Sequence, residues 1–385
     1  MFRAGVFSLP LDIDIAIIKK KGGSAVKTEK GKFSLLLGAA HFAVDFICTL
    51  MLAESARQLT YWQVMACAVL YNGLAFAFQL PIGALADRLK LSRGLAAVGC
   101  LMVAAGALLP VSLAANALMG LGNACFHVGG GREALKRGGD SAGIVGKFVA
   151  PGAVGIFLGP RLAGLLRPVR GMLPLMLVLL AAMLLKTRAS GREAEAMQAS
   201  DGRLSPGKLV CVCVCMFLTV FLRAYLGSAL AYPFLSQAGW AFLFTLCIFG
   251  GKYFGGILAD RFGTLRFCIL SQLLGTVLFV FSTELPWLGM PAVFLFNTTM
   301  AVTATRLYRC APGLPGTMFG LTTVALYLGA LPRLMNLLQP VGLGLLSGLS
   351  TVLLVLGLML SEGGDGHGHR DCEGAGTVAG TDAGH

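Results

Sequence analysis

Charged side chains are scarce in this chain. Asp, Glu, Lys and Arg make up 13% of its 385 residues, against roughly 25% in soluble domains. So few charges cannot cover the surface of a soluble protein of this length, whereas 56% hydrophobic residues and a mean hydropathy of +0.78 suit a lipid bilayer. Backbone groups inside a bilayer must be hydrogen-bonded within their own segment, so an all-α integral membrane protein is expected.

Signatures of other protein classes are also missing. The sequence has no Gly-Lys-Ser/Thr loop to cradle phosphates, which argues against ATP-driven work. It has no paired carboxylates or nucleophile constellation, so neither an enzyme nor a cofactor is expected. Its 11 cysteines lie mostly in or beside apolar runs, which is typical of core residues. The His, Cys, Asp and Glu residues after position 361 match no closed tetrahedral site, so no metal is expected.

Twelve apolar segments are long enough to cross a bilayer as helices. Their predicted bounds are 33–53, 62–83, 94–112, 114–134, 142–166, 170–186, 208–231, 238–258, 264–282, 286–305, 314–333 and 336–360. The one long polar interruption follows the sixth segment and predicts a linker. The expected organisation is a cytoplasmic leader at 1–32, a six-helix bundle at 33–186, a cytoplasmic linker at 187–207, a second six-helix bundle at 208–360 and a flexible tail at 361–385.

One short motif occurs at corresponding places in the two halves. GALADRLKLSR occupies 83–93 and GILADRFGTLR occupies 256–266. Such a duplication in a membrane protein predicts two pseudo-symmetric bundles. Each aspartate can cap the next helix or pair with an arginine across its loop, so the loops are interpreted as latches between the bundles, the alternative being that their basic residues only fix topology. The predicted latch residues are Gly83, Asp87, Arg88, Arg93, Gly256, Asp260, Arg261, Gly263 and Arg266.

The 31 Lys and Arg residues set the orientation. Most of them fall in the leader, the linker and the loops on the same side as the repeated motif, and the positive-inside rule places these segments in the cytoplasm. Both termini are therefore expected in the cytoplasm. The net charge of +13 is then a topology signal with attraction to anionic lipid, and no nucleic-acid partner is expected.

Ionisable side chains within membrane spans cost free energy to bury, and those that occur usually have a function. His41 and Asp45 are four residues apart in the first span and share one helix face, while Asn116, Asn123 and His127 form a similar stripe in the fourth. A carboxylate beside imidazoles can hold and release a proton near neutral pH. Asp45, His41 and His127 are therefore the predicted proton-coupling residues; the alternative for each histidine is a hydrogen-bonded packing role.

Two basic side chains lie within spans of the second half. Arg223 in the seventh span and Lys252 in the eighth place positive charge in the expected cavity, which suits an anionic substrate. They serve equally well as counter-charges to Asp45, and both interpretations stay open. The predicted substrate-cavity residues are Asn116, Asn123, Arg132, Arg223, Lys252 and Gln79.

The paired loop motif resembles the loop signature of the major facilitator superfamily of transporters, over nearly the whole chain. The first copy departs from it with Lys90 in place of a glycine. GIFLGPRLAG at 155–164 resembles the helix-five motif of the superfamily's antiporters, and favours export by exchange; generic packing of small residues is the alternative. The helix-five motif residues are Gly155, Gly159, Pro160 and Gly164.

Polar residues in the spans sharpen the resemblance. HFxxD at 41–45, FHxxxxR at 126–132, Gly159-Pro160 and Arg223 are similar to the fosmidomycin-resistance-type efflux branch. The branch has Pro-Glu after its Phe-His, whereas this chain has Val-Gly-Gly-Gly at 128–131. Three successive glycines predict either unwinding of the helix or close approach of a neighbouring backbone.

The resemblance implies proton-driven efflux of small, often anionic compounds. The leading prediction is a proton-coupled antiporter in a bacterial inner membrane that exports a small anionic or amphiphilic molecule by alternating access. One alternative is a proton symporter that imports an anionic metabolite with the same residues. The other is a membrane sensor or assembly factor that has a carrier fold and transports nothing.

Overall fold

A computed structural model describes residues 11–187, 204–335, 337 and 342–362, with side chains from residue 31 onward. These residues are helical almost throughout, and none of them lies in a strand. The first ten residues of the predicted leader lie outside the described residues. So do most of the predicted linker and most of the predicted tail, including the tail's His, Cys and Asp residues.

Twelve helices follow one another along the described chain. The first six are α1 (Leu11–Gln58), α2 (Tyr61–Arg88), α3 (Arg93–Leu108), α4 (Leu113–Gly138), α5 (Ala142–Leu166) and α6 (Leu173–Lys186). The second six are α7 (Pro206–Ala229), α8 (Ala238–Phe262), α9 (Thr264–Phe281), α10 (Pro286–Cys310), α11 (Pro315–Leu334) and α12 (Leu343–Glu362). Each of the twelve predicted spans overlaps one of these helices, which confirms the all-α fold class.

Several helix ends differ from the prediction by four residues or more; α2 ends at Arg88 and not at 83, α10 ends at Cys310 and not at 305, and α12 begins at Leu343 and not at 336. Two further ends have a clear cause. α1 begins at Leu11, well before the predicted start at 33, so part of the leader continues the first helix. α3 ends at Leu108, before the predicted end at 112. Leu109 is extended, with φ −71° and ψ 156°, because a residue that precedes proline avoids the helical conformation.

Most of the helices have the length and composition of membrane spans. Eight helical stretches are long and apolar enough to cross a bilayer, and one of them, Ala142–Lys186, contains both α5 and α6, joined by a 3-10 turn at Arg167–Met172. α3 is apolar and shorter, with 16 residues. α4 carries charged side chains in residues 132–137 at its last turns, where a span leaves the bilayer. The chain is therefore an integral membrane protein.

The two halves pack along two pairs of helices, α2 with α11 and α5 with α8. A Cβ atom at Gly83 of α2 would collide with the backbone of Gly316 in α11, and one at Gly256 of α8 would collide with the backbone of Ala142 in α5. Gly83 and Gly256 are the first residues of the two motif copies. The duplicated glycine therefore sets the spacing of the halves at two corresponding places, since only small residues let helix backbones approach so closely.

The helix-five motif packs inside the first half. Cβ atoms at Gly155 and Gly159 would collide with α1, at the backbone of Phe42 and the side chain of Thr49 respectively. α5 runs without interruption from Ala142 to Leu166, although Pro151 and Pro160 lie inside it. The small residues of the motif therefore bring α1 and α5 together.

The glycines at 129–131 do not unwind α4, which is helical from Leu113 to Gly138. The expectation of unwinding is wrong, and the expectation of close approach is right. The first glycine faces the backbone of Ala96 in α3, the second the ring of Phe148 in α5 and the third the ring of Phe319 in α11. A side chain added at Gly129, Gly130 or Gly131 would collide with α3, α5 or α11 respectively.

Candidate functional site

A buried polar cluster lies where α1, α4 and α5 meet. α1 supplies His41 and Asp45, and α4 supplies His127. His41 Nε2 lies 2.8 Å from His127 Nε2 and 3.1 Å from Asp45 Oδ2, while His127 Nε2 lies 3.7 Å from Asp45 Oδ1. The three predicted proton-coupling residues therefore lie in contact with one another.

Each imidazole has a backbone carbonyl next to one ring nitrogen, and this contact indicates which nitrogen carries a hydrogen. His41 Nδ1 lies 2.7 Å from the carbonyl oxygen of Phe148, and His127 Nδ1 lies 2.9 Å from that of Asn123. A carbonyl oxygen only accepts, so each Nδ1 carries a hydrogen and donates it. In a neutral imidazole with this tautomer, Nε2 is a bare acceptor.

The contact between the two Nε2 atoms therefore requires one further proton. Two bare nitrogens 2.8 Å apart would repel each other, whereas one N–H between them makes a hydrogen bond of ordinary length. With this proton, His41, His127 and Asp45 together carry no net charge, because one imidazolium balances the carboxylate. Without it the cluster carries one negative charge. The 2.8 Å separation of the two Nε2 atoms therefore fits a cluster that holds one proton between the imidazoles.

The same side chains are also of metal-ligand type, with ligand atoms that lie within 4.8 Å of one another. Two nitrogens that bind one Zn²⁺ tetrahedrally, at about 2.0–2.1 Å from the metal, would be about 3.3 Å apart. The separation of 2.8 Å between the two imidazole nitrogens is shorter. It fits a shared proton more closely than a shared metal ion.

Asn123 holds the carboxylate from a second direction. Its Nδ2 donates to Asp45 Oδ1 at 3.1 Å and to the hydroxyl of Tyr71 at 3.2 Å, which uses both of its hydrogens. Asn123 is a predicted cavity residue. Tyr71 of α2 was not predicted, because a single hydroxyl in an apolar run forms no polar stripe that a sequence pattern would reveal.

Three predicted cavity residues lie away from this cluster. Asn116 donates to Ser55 Oγ at 3.0 Å. Gln79 is buried and donates to the carbonyl of Ala75 at 2.6 Å, within α2. Arg132 binds the first latch aspartate. The polar residues of α4 therefore bind different partners at different positions along the helix.

Arg223 and Lys252 lie in the second half. Arg223 is buried, and its Nη2 donates to Thr299 Oγ1 at 2.6 Å, while its Nε has no partner among the described atoms. No ion pair within the described residues joins Arg223 or Lys252 to a carboxylate. Arg223 and Lys252 therefore form no salt bridge with a described acid, although the Asp45 carboxylate is close enough to interact electrostatically with Lys252.

The first loop motif forms a bond across the two halves. Asp87, at the end of α2, accepts hydrogen bonds from the backbone N–H groups of Gly316 at 2.9 Å and Thr317 at 2.8 Å, at the start of α11. The Thr317 hydroxyl donates to it at 2.8 Å. Arg132 Nε donates from α4 at 2.9 Å, and its Nη1 donates to Ser92 Oγ at 2.6 Å. The Asp87 side chain is 2% exposed, so this first latch is a buried network.

The second loop motif forms the matching bond. Asp260, at the end of α8, accepts from the backbone N–H groups of Ala142 and Gly143 at 2.9 Å each, at the start of α5. Ser141 Oγ donates to it at 2.7 Å. Asp260 is exposed and has no ion-pair partner among the described residues. Both latches lie at one end of the molecule, called the latch end below, and the second has fewer bonds and is more exposed.

The latch aspartates differ from the predicted capping in one respect. Each caps a helix of the opposite half and not the helix that follows it, and the arginine partner of Asp87 comes from α4. The motif's own arginines, Arg88, Arg93, Arg261 and Arg266, make no hydrogen bond or ion pair with either aspartate. Lys90, which stands where the motif has glycine, adopts the left-handed conformation that favours glycine, with φ 54° against 88° for Gly263.

Solved structures share this architecture. The E. coli fucose:proton symporter FucP aligns over 85% of this chain and 98% of its own, at 14% identity and a TM-score of 0.61. A structure of FucP in the outward conformation, described as a Major Facilitator Superfamily transporter, aligns over 86% and 99% of the two chains, at 15% identity and a TM-score of 0.62. The fold is that of the major facilitator superfamily.

The structure of a human transporter also aligns with this chain. The human organic anion transporter MFSD10 aligns over 86% of this chain and 98% of its own, at 17% identity and a TM-score of 0.56. No family model and no curated protein matches the amino-acid sequence. At these identities the likeness is one of fold alone.

Proposed function

We propose that this chain is a secondary active transporter that couples the movement of a small anionic or amphiphilic molecule to protons. The observation that supports the proposal is the 2.8 Å contact between His41 Nε2 and His127 Nε2 beside the Asp45 carboxylate, which suits a shared proton. A buried titratable group inside a membrane bundle is a functional site by default, because holding it there is expensive. Release of the proton changes the charge of the cluster by one unit, which is what coupling to a charged substrate requires.

Alternating access would rock residues 33–186 against residues 208–360. The two latches support this division, because each joins the end of a helix in one half to the start of a helix in the other. With both latches closed, the latch end of the molecule is shut. In this proposal the latch end faces the cytoplasm of a bacterial inner membrane, as the Lys and Arg bias predicts.

The positive charge of the second half supports an anionic substrate. Neither Arg223 nor Lys252 forms a salt bridge with a described acid, and the buried Arg223 also has a nitrogen without a partner. Holding an unpaired cation in the protein interior is costly. A substrate carboxylate, phosphate or phosphonate would neutralise them. The organic anion transporter among the structural relatives is consistent with this substrate class.

Two directions of coupling have support. Export by antiport is our leading proposal, since residues 155–164 resemble the antiporter motif of helix five. The fucose:proton symporter among the structural relatives favours the second candidate, import by symport. Both use the same proton site and differ in whether substrate and proton bind to the same state of the carrier or to alternate states.

A vesicle assay tests the proposal and separates the two directions. The purified protein is placed in liposomes that contain a pH-sensitive dye, and small phosphonates, organic acids and amphiphilic cations are added in turn. We expect at least one compound to evoke proton movement. For that compound, an imposed inward proton gradient should empty preloaded vesicles if the protein is an antiporter and fill empty ones if it is a symporter. Substrate movement that leaves the internal pH unchanged would contradict proton coupling.

A further inference from the structure

Three arginines surround one buried glutamate at the end of the molecule opposite the latch end. Glu54, near the end of α1, has a side chain that is 0% exposed. Its carboxylate lies 2.7 Å from Arg57 Nη1, 3.4 Å from Arg167 Nη2 and 4.0 Å from Arg170 Nη1. Gln58 Nε2 also lies 3.4 Å from it. We call these three guanidinium groups the arginine cluster.

The arginine cluster has an excess of positive charge. One carboxylate serves three guanidinium groups, and no other described acid pairs with them. Each guanidinium has five N–H donors, of which Glu54 accepts only a few. The side chains of Arg57, Arg167 and Arg170 are between 32% and 58% exposed. Glu54 therefore fixes their position while leaving most of their donors free to bind an anion.

Apolar surface borders the arginine cluster. Leu165 is exposed in the last turn of α5, and Val169 and Met172 are exposed on the connection to α6 that also carries Arg167 and Arg170. Tyr61 and Trp62 are exposed at the start of α2, directly after the end of α1. Aromatic side chains of this kind are enriched where a bilayer meets water. The cluster therefore lies at the depth of lipid headgroups, beside side chains that suit acyl chains.

The basic residues expected at this end of the molecule are all arginines. The segments expected at this end contain Arg57, Arg161, Arg167, Arg170 and Arg333, and no lysine. The positive-inside rule disfavours basic residues here, so topology does not explain them. Arginine differs from lysine in its planar fork, which binds phosphate through two parallel hydrogen bonds.

We infer that the arginine cluster binds the phosphodiester headgroup of an anionic lipid, in the leaflet at the end opposite the latches. The exposed N–H groups of Arg167 and Arg170 bind the phosphate oxygens, and the acyl chains lie along the apolar residues of the α5–α6 connection. This site is separate from the proton cluster and does not depend on the proposed transport activity.

Native mass spectrometry of the full-length protein tests the inference, with phosphatidylglycerol or phosphatidylcholine added to the detergent-solubilised protein. We expect preferential retention of phosphatidylglycerol. The double variant Arg167→Gln/Arg170→Gln should weaken that binding roughly 30-fold, given the attraction of each basic residue to an anionic surface. Arg167→Lys/Arg170→Lys keeps the charge and should lose part of the binding, because the fork is gone.

Arg333→Gln is the matched control. It removes an exposed arginine from the same end of the molecule, in α11 and outside the arginine cluster, and it should leave lipid binding unchanged. Circular dichroism without added lipid should show the same helix content for all variants, so that a loss of binding is not a loss of fold. Equal binding of the two lipids, an equal loss in Arg333→Gln, or full displacement of phosphatidylglycerol by inorganic phosphate would each overturn the inference.

Discussion

Replacing Asp45 by asparagine should reduce substrate-evoked proton movement to the level of liposomes without protein. The amide keeps the shape of the side chain and still accepts a hydrogen bond from Asn123, so the packing of α1 against α4 is preserved. It has no charge to balance an imidazolium, and the proton between His41 and His127 loses the carboxylate that stabilises it. The measurement is the internal pH of dye-loaded liposomes after addition of the substrate.

Asn116→Ala is the control for this variant. It also removes a buried polar side chain from the first half, but Asn116 binds Ser55 and makes no hydrogen bond to the proton cluster. Proton movement should therefore persist in Asn116→Ala. Normal proton movement with unchanged pH dependence in a folded Asp45→Asn protein would contradict the assigned role of the cluster.

The second large effect is expected at the first latch. Asp87→Asn weakens four hydrogen bonds, and it leaves the buried guanidinium of Arg132 without its carboxylate. An uncompensated buried charge costs about 3 kcal/mol, which is roughly a hundredfold in the balance between latched and open conformations. Hydrogen exchange should report this as lost protection of the Gly316 and Thr317 amides.

Asp260→Asn provides the matched comparison. Asp260 accepts three hydrogen bonds but is exposed and pairs with no described arginine, so its loss should cost about 1 kcal/mol. Its effect should appear at the amides of Ala142 and Gly143. A larger effect for Asp260→Asn than for Asp87→Asn would show that burial and the arginine do not set the strength of the latches.

The fold was predictable because its determinants lie along the chain. A bilayer requires long apolar segments, and a duplicated loop at 83–93 and 256–266 divides them into two sets of six. The start of α1 at Leu11 was not predictable in this way, since hydropathy reports what lipid can cover and not where a helix begins in water. The end of α3 followed from Pro110, a local signal that a hydropathy window averages away.

The proton cluster was predictable in part. The spacing of His41 and Asp45 places both on one face of a helix, and His127 lies at a similar depth in α4. The partners of the latches were not predictable, because the groups that bind Asp87 are backbone amides, and that of Gly316 lies 229 residues away in sequence. Every residue but proline has such an amide, so the sequence carries no mark of which one will be used.

Nitrogen NMR of the histidines tests the central claim most directly. The chain has five histidines, and His367, His369 and His385 can be replaced by glutamine so that ¹⁵N-histidine labels report only His41 and His127. In the pH range where transport is active, both Nδ1 atoms should carry hydrogens, and one proton should be shared between the two Nε2 atoms. It should be lost in Asp45→Asn. Two Nε2 atoms that stay bare throughout that range, or that are both fully protonated, would contradict the shared proton from which the proposed coupling follows.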